Sequence, residues 1–173
     1  MLLFLSWIGM VHASGVVINE ALVNPSGADS GFEWLELYNA GETEAALSGW
    51  QLHSGTSSLG VDVTFDDVVT IAPKSFLVVG DSEVVGADVL ADLSFGNAGS
   101  NADIIQLVDA EGSVVDTLIY GSPNDDEWKD DSGTIATSMA PKGGSGESIA
   151  RDLLPVVDNI ERALSVSPAG IEA

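Results

Sequence analysis

The sequence predicts an all-β domain, a sandwich or a barrel. Apolar and polar residues alternate along short runs, turn residues separate those runs at similar intervals, and no stretch carries the spacing of an amphipathic helix. Strand–helix–strand alternation is absent as well. With 173 residues, 45% of them hydrophobic, the chain has the size and apolar content for one domain with its own core.

Residues 1–11 form an uncharged apolar run, and Val11-His12-Ala13 then places small residues as a signal-peptide cut after Ala13 requires. The run is too short to span a bilayer, and no Lys or Arg precedes it. A signal peptide is therefore expected over 1–13, the domain over 14–170, and a tail or linker start over 171–173. Export would place the protein in the cell envelope or outside the cell.

Val16–Leu22 reads as the first strand, closed by Asn24-Pro25-Ser26-Gly27. Residues 33–39 are the second, and 46–53 the third, bent at Gly49 into two short pieces. Short strands follow over 62–65, 68–71 and Phe76–Gly80, the last after a Pro73-Lys74-Ser75 turn. Asp103–Val108 and Val114–Tyr120 flank Asp109-Ala110-Glu111-Gly112, a hairpin turn. Residues 121–146, rich in acids and then in Gly, Ser and Pro, read as a long surface loop, and 147–152 as a last short strand or turn.

Charge narrows the function. Against 27 Asp and Glu stand 5 Lys and Arg, a net charge of −22. Such a surface repels nucleic acid and anionic membranes, leaving divalent cations, basic proteins and neutral glycans as partners. The absence of cysteine removes disulfides, zinc-thiolate sites and Cys nucleophiles together.

Several segments, in order, resemble one family: Val17-Ile18-Asn19-Glu20, Asn24-Pro25, Glu33-Trp34-Leu35-Glu36-Leu37-Tyr38-Asn39 and Leu47-Ser48-Gly49-Trp50-Gln51-Leu52. Residues 73–79, 105–116 and 146–151 continue the pattern. The chain resembles lamin-tail domains of secreted bacterial proteins across roughly residues 16–170. That resemblance implies an immunoglobulin-like β-sandwich, used in nuclear lamins as an interaction surface and found in bacteria beside nuclease, hydrolase or adhesion modules. Fold likeness by itself locates no site.

Side-chain parity supplies the candidate residues. Period two sets Glu20 on the face of Val16 and Ile18, and Glu33 and Asn39 on the face of Leu35 and Leu37, so all three polar residues are expected at the core boundary. There Glu20 and Glu33 would accept backbone N–H bonds at half-wet strand ends, pair with Arg151, or bind a metal. On the opposite face Trp34, Glu36 and Tyr38 form either a binding platform for a protein or sugar, or a surface covered by the loop around Trp128. Trp50 reads as core. Asp125, Asp126, Glu127, Asp130 and Asp131 lack EF-hand spacing, which leaves a loose calcium site or a solvated acidic loop.

No catalytic residue is assigned. His53 lies at a strand end without a nucleophile elbow, carboxylates are too numerous to single out a pair, and Gly143-Gly144-Ser145-Gly146 lacks the setting of a phosphate loop. The expected function is an exported, non-catalytic binding or scaffolding module with a protein or glycan partner. Its rivals are a calcium-dependent adhesion or glycan-binding module and a carboxylate hydrolase, and no cofactor other than calcium is anticipated.

Overall fold

A computed structural model describes residues 15–150. The expected signal peptide, Arg151 and the tail lie outside these residues. Among the described residues there are eleven strands and no helix. They are β1 (Val16–Leu22), β2 (Trp34–Asn39), β3 (Ala45–Ala46), β4 (Gln51–Gly55), β5 (Leu59–Thr64), β6 (Thr70–Ile71), β7 (Phe76–Gly80), β8 (Val89–Leu90), β9 (Asp103–Val108), β10 (Val114–Tyr120) and β11 (Ile149–Ala150).

The first sheet runs β11-β1-β2-β7-β8 and the second β10-β9-β4-β5, with β3 and β6 forming a separate pair. All neighbours are antiparallel except β7 and β8. Alternation along each strand decides what is buried between the sheets. Ile18, Leu35, Leu37 and Val79 of the first sheet meet Leu52, Ile105 and Leu107 of the second in one core. Leu47, Trp50, Phe65 and Ile71 close one end, so Trp50 is core as expected. The result is the immunoglobulin-like β-sandwich.

The parity assigned to Glu20 needs correction. The register of β1 against β2 shifts between Ile18 and Glu20: Ile18 faces Leu37, yet Glu20 faces Glu36 and Ala21 faces Leu35. This bulge inserts Asn19 as an extra residue and switches the side-chain parity. Ala21 and Val23 are therefore buried, whereas Glu20 and Leu22 turn outward, half-exposed. The bulge also leaves the Ile18 N–H free of the ladder, and it donates across the sandwich to Asp116 Oδ2 at 2.6 Å.

Other boundaries move for local reasons. The bend at Gly49 is real: its φ of +74° suits glycine, and it separates β3 from β4. The strand expected over 62–65 begins earlier, at Leu59, because β5 pairs along all of β4. The strand expected over 68–71 shrinks to Thr70–Ile71, with Val68 largely in solvent. Strand β8 has only two residues and shows no alternation, so its existence comes from pairing with β7 alone.

Asn39 is buried, as its place beside Leu37 predicts, and holds one end together. Its Nδ2 donates to the carbonyls of Thr43 at 2.8 Å, Ile71 at 2.9 Å and Ala72 at 3.3 Å, while Oδ1 accepts the Gly41 N–H at 2.9 Å. One side chain thus ties the turn after β2 to the turn after β6. Asn39→Ala leaves these buried backbone groups without partners and should destabilise the domain by about 2–4 kcal/mol. Urea denaturation checks this, and a loss under about 1 kcal/mol would show that water replaces the amide.

Candidate functional site

The outward face of the first sheet carries three cross-strand rows. Val17, Tyr38 and Phe76 form one, Glu20, Glu36 and Val78 the next, and Leu22, Trp34 and Gly80 the third. Trp34, Glu36 and Tyr38 are half-buried, but Phe76 is 51% exposed. The Tyr38 and Phe76 rings lie 4.8 Å apart between centroids, tilted by 32°, a favourable aromatic pairing. Phe76 joins this face because period two through Phe76, Leu77, Val78 and Val79 puts Phe76 and Val78 opposite the buried Leu77 and Val79.

Between the aromatic rows stand two carboxylates. Glu20 and Glu36 are direct partners across the β1–β2 ladder, an arrangement of like charges that is unfavourable by itself. Their hydrogen bonds come from neutral donors. Asn19 Nδ2 donates to Glu36 Oε1 at 2.6 Å, and the Ser148 hydroxyl donates to Glu20 Oε1. Among the described residues the ion pair is Lys74–Glu42, at 2.8 Å, and it leaves Glu20 and Glu36 without a cation.

Trp128 belongs elsewhere. It packs with Ala102, Ile104, Ile119, Ala136 and Met139 on the outer surface of the second sheet. Its indole N–H donates to the Ala102 carbonyl at 3.0 Å, and Asn124 brackets it by accepting the Trp128 N–H at 2.9 Å and donating to the Trp128 and Ala136 carbonyls. The long loop therefore covers β9 and β10 and does not shield Trp34, Glu36 and Tyr38. Trp128 and that trio share no surface.

Asp125, Asp126, Glu127, Asp130 and Asp131 are all exposed on this loop. Asp126 accepts a hydrogen bond from Asn101. Asp130 Oδ1 takes the Ser132 hydroxyl together with the Ser132 and Thr134 N–H groups, contacts that hold its carboxyl below the ordinary range. Among the described residues no group of three or more His, Cys, Asp or Glu side chains is arranged to hold a metal ion. His53 Nε2 shares a 2.9 Å hydrogen bond with Gln51 Oε1. A groove of about 490 Å³ runs between β1, β10 and the loop, lined largely by apolar and hydroxyl side chains with Asp130 as its one carboxylate.

A family model described as Lamin Tail Domain matches residues 12–122. The match takes in β1 to β10, including every strand of the aromatic face, and stops before the Trp128 loop and β11. No curated protein matches the chain.

At the end of the sandwich away from Asn39, several acids are buried. Glu33, on the inward face as expected, is only 3% exposed; its Oε2 accepts the Phe95 N–H at 3.1 Å. Burial pushes its carboxyl up from 4.5 to about 8, against the lowering effect of that hydrogen bond and with help from the Asp81, Asp29 and Asp62 charges. Burial raises Asp62 and Asp103 too. Asp81, in the turn after β7 where no alternation marks it as buried, spends its carboxylate on the N–H groups of Gly31, Glu33 and Leu93. Tyr120 donates its hydroxyl to the Gly96 carbonyl at 2.7 Å, and a Cβ on Gly96 would lie 2.1 Å from Asp103 Oδ2, so only glycine fits there.

These groups act as neutral or backbone-bound fasteners for the segment 91–98. Because the folded value of Glu33 lies above its unfolded value, its contribution is complete below about pH 4.5 and disappears as pH rises through about 8. Stability should therefore fall between those limits, and Glu33→Gln, which stays neutral, should flatten the slope by a few kcal/mol in order of magnitude. Urea melts at several pH values decide it: parallel profiles for the two proteins would mean that Glu33 is already ionised in the folded domain.

Proposed function

Starting from a chain that belongs to the lamin tail domain family, we propose that it is a non-catalytic binding module, exported, which holds a protein partner on the outer face of its first sheet. One observation carries this reading: the two outer faces are treated differently. The second sheet's apolar surface is roofed by the Trp128 loop, whereas among the described residues no loop covers Trp34, Tyr38 and the exposed Phe76 in that way. Partly exposed aromatic side chains gathered on one sheet face are a feature of docking surfaces. The apolar run over 1–11 and the small residues before Ser14 support export. Among the described residues no helix is long and apolar enough to cross a membrane.

Two measurements test the proposal. Protein recovered from the medium of producing cells should begin at Ser14, and a secreted chain that retains Met1 would remove the signal peptide from the account. For the face, immobilised domain is exposed to cell-envelope extract and the retained proteins are quantified. Phe76→Ser should lose a defined subset that Val68→Ser, an equally polarising change at an exposed position elsewhere, keeps. Identical retention by both variants would mean that the aromatic face is idle.

A further inference from the structure

We infer that the partner presents a basic segment, whose arginine or lysine side chain enters between the aromatic rows and lies over Glu20 and Glu36. This rests on the docking face proposed above and names the chemistry that the face selects.

The argument is one of charge complementarity. Two carboxylates are set directly opposite each other on adjacent strands, and the ladder gains nothing from that repulsion. Asn19 and Ser148 satisfy some lone pairs with neutral donors, and charge compensation is missing among the described residues. Trp34 stands on one side of Glu36 and the Tyr38–Phe76 pair on the other. Aromatic faces attract a cation through their electron density, and a guanidinium can also stack on a ring while it donates to a carboxylate. The same surface repels an acidic partner, a second copy of this chain carrying −22 included. A neutral glycan would use the rings but have no need of the paired acids. A basic protein segment uses both.

The probe is a synthetic eight-residue peptide of alternating Arg and Ser, with a control in which citrulline, isosteric and uncharged, replaces every Arg. Titration is followed by calorimetry on the whole chain. The Arg peptide should bind, and the citrulline peptide about tenfold more weakly or not at all. Glu36→Gln and Phe76→Ser should each weaken the Arg peptide about tenfold, whereas Asp131→Asn, an equal loss of charge on the distant loop, should change it less than about twofold. Glu36→Gln removes a like-charge contact, so its fold is secure, and an unchanged melt confirms this. Equal effects from Glu36→Gln and Asp131→Asn would reduce the binding to diffuse attraction and overturn the inference. Binding by Arg151→Ala but not by the unaltered chain would assign the carboxylates to the chain's own arginine, which follows β11, and would overturn it too. If the peptide fails while envelope proteins still depend on Phe76, the docking face stands and its basic occupant does not.

Discussion

The extra residue in β1 governs more of this domain than any other local feature. Val16 and Ile18 must face inward to meet Leu37 and the second sheet, and Ala21 and Val23 must do so as well to cover the other end of the core. Strict alternation cannot satisfy both sets, since their positions differ in parity. Inserting Asn19 resolves the conflict. It has two consequences beyond packing. The displaced Ile18 N–H reaches Asp116 on β10, tying the two sheets by a buried hydrogen bond. Glu20, which unbroken parity would have driven toward the core, emerges beside Glu36. The same insertion thus secures the sandwich and brings two carboxylates together outside it.

A second constraint is the shortage of cations. With 5 Lys and Arg in the chain, buried acids cannot all be paired. The fold meets this in three ways: burial pushes the Glu33 carboxyl up toward its neutral form, Asp81 accepts backbone N–H groups, and Asn39 does with an amide what an ion pair does elsewhere. Each device avoids an uncompensated buried charge, which would be far more destabilising than the hydrogen bonds are stabilising. The pattern separates interior from exterior. Inside, Glu33 is pushed toward its neutral form and Asp81 is held by backbone; on the aromatic face, among the described residues, Glu20 and Glu36 take hydrogen bonds from the neutral donors Ser148 and Asn19.

Much of the architecture was legible from alternation and turn residues. β1, β7, β9 and β10 were bounded correctly because each is an apolar-polar run closed by Gly, Pro or Asp. Asn39 and Glu33 could be placed inside by counting from Leu35 and Leu37. Glu20 could not, because a bulge leaves no mark in the residues themselves and is specified only by what the neighbouring strand must match. β8 was hidden for a related reason: Val89–Leu90 joins the sheet through one short parallel contact that no local pattern announces. The aromatic trio on β2 was visible as an outward stripe. Its completion by Phe76 required the register of β2 with β7, and its separation from Trp128 required knowing which sheet the loop crosses.

The difference between the two outer faces follows from what each displays. Ile104 and Ile119 have no polar tip, so an uncovered second sheet would expose aliphatic surface with no compensating contact to water; the Trp128 loop is the least that removes it. Tyr38 and Trp34 each carry a polar atom, and the half-buried Glu36 between them accepts a hydrogen bond from Asn19, so this face of the first sheet tolerates water. Tolerance is not indifference, because Phe76 still exposes half its surface and the carboxylates still repel. A face that is stable when bare, yet improves when a flat cation covers it, suits a partner that comes and goes. Among the described residues the long loop is spent on the other sheet.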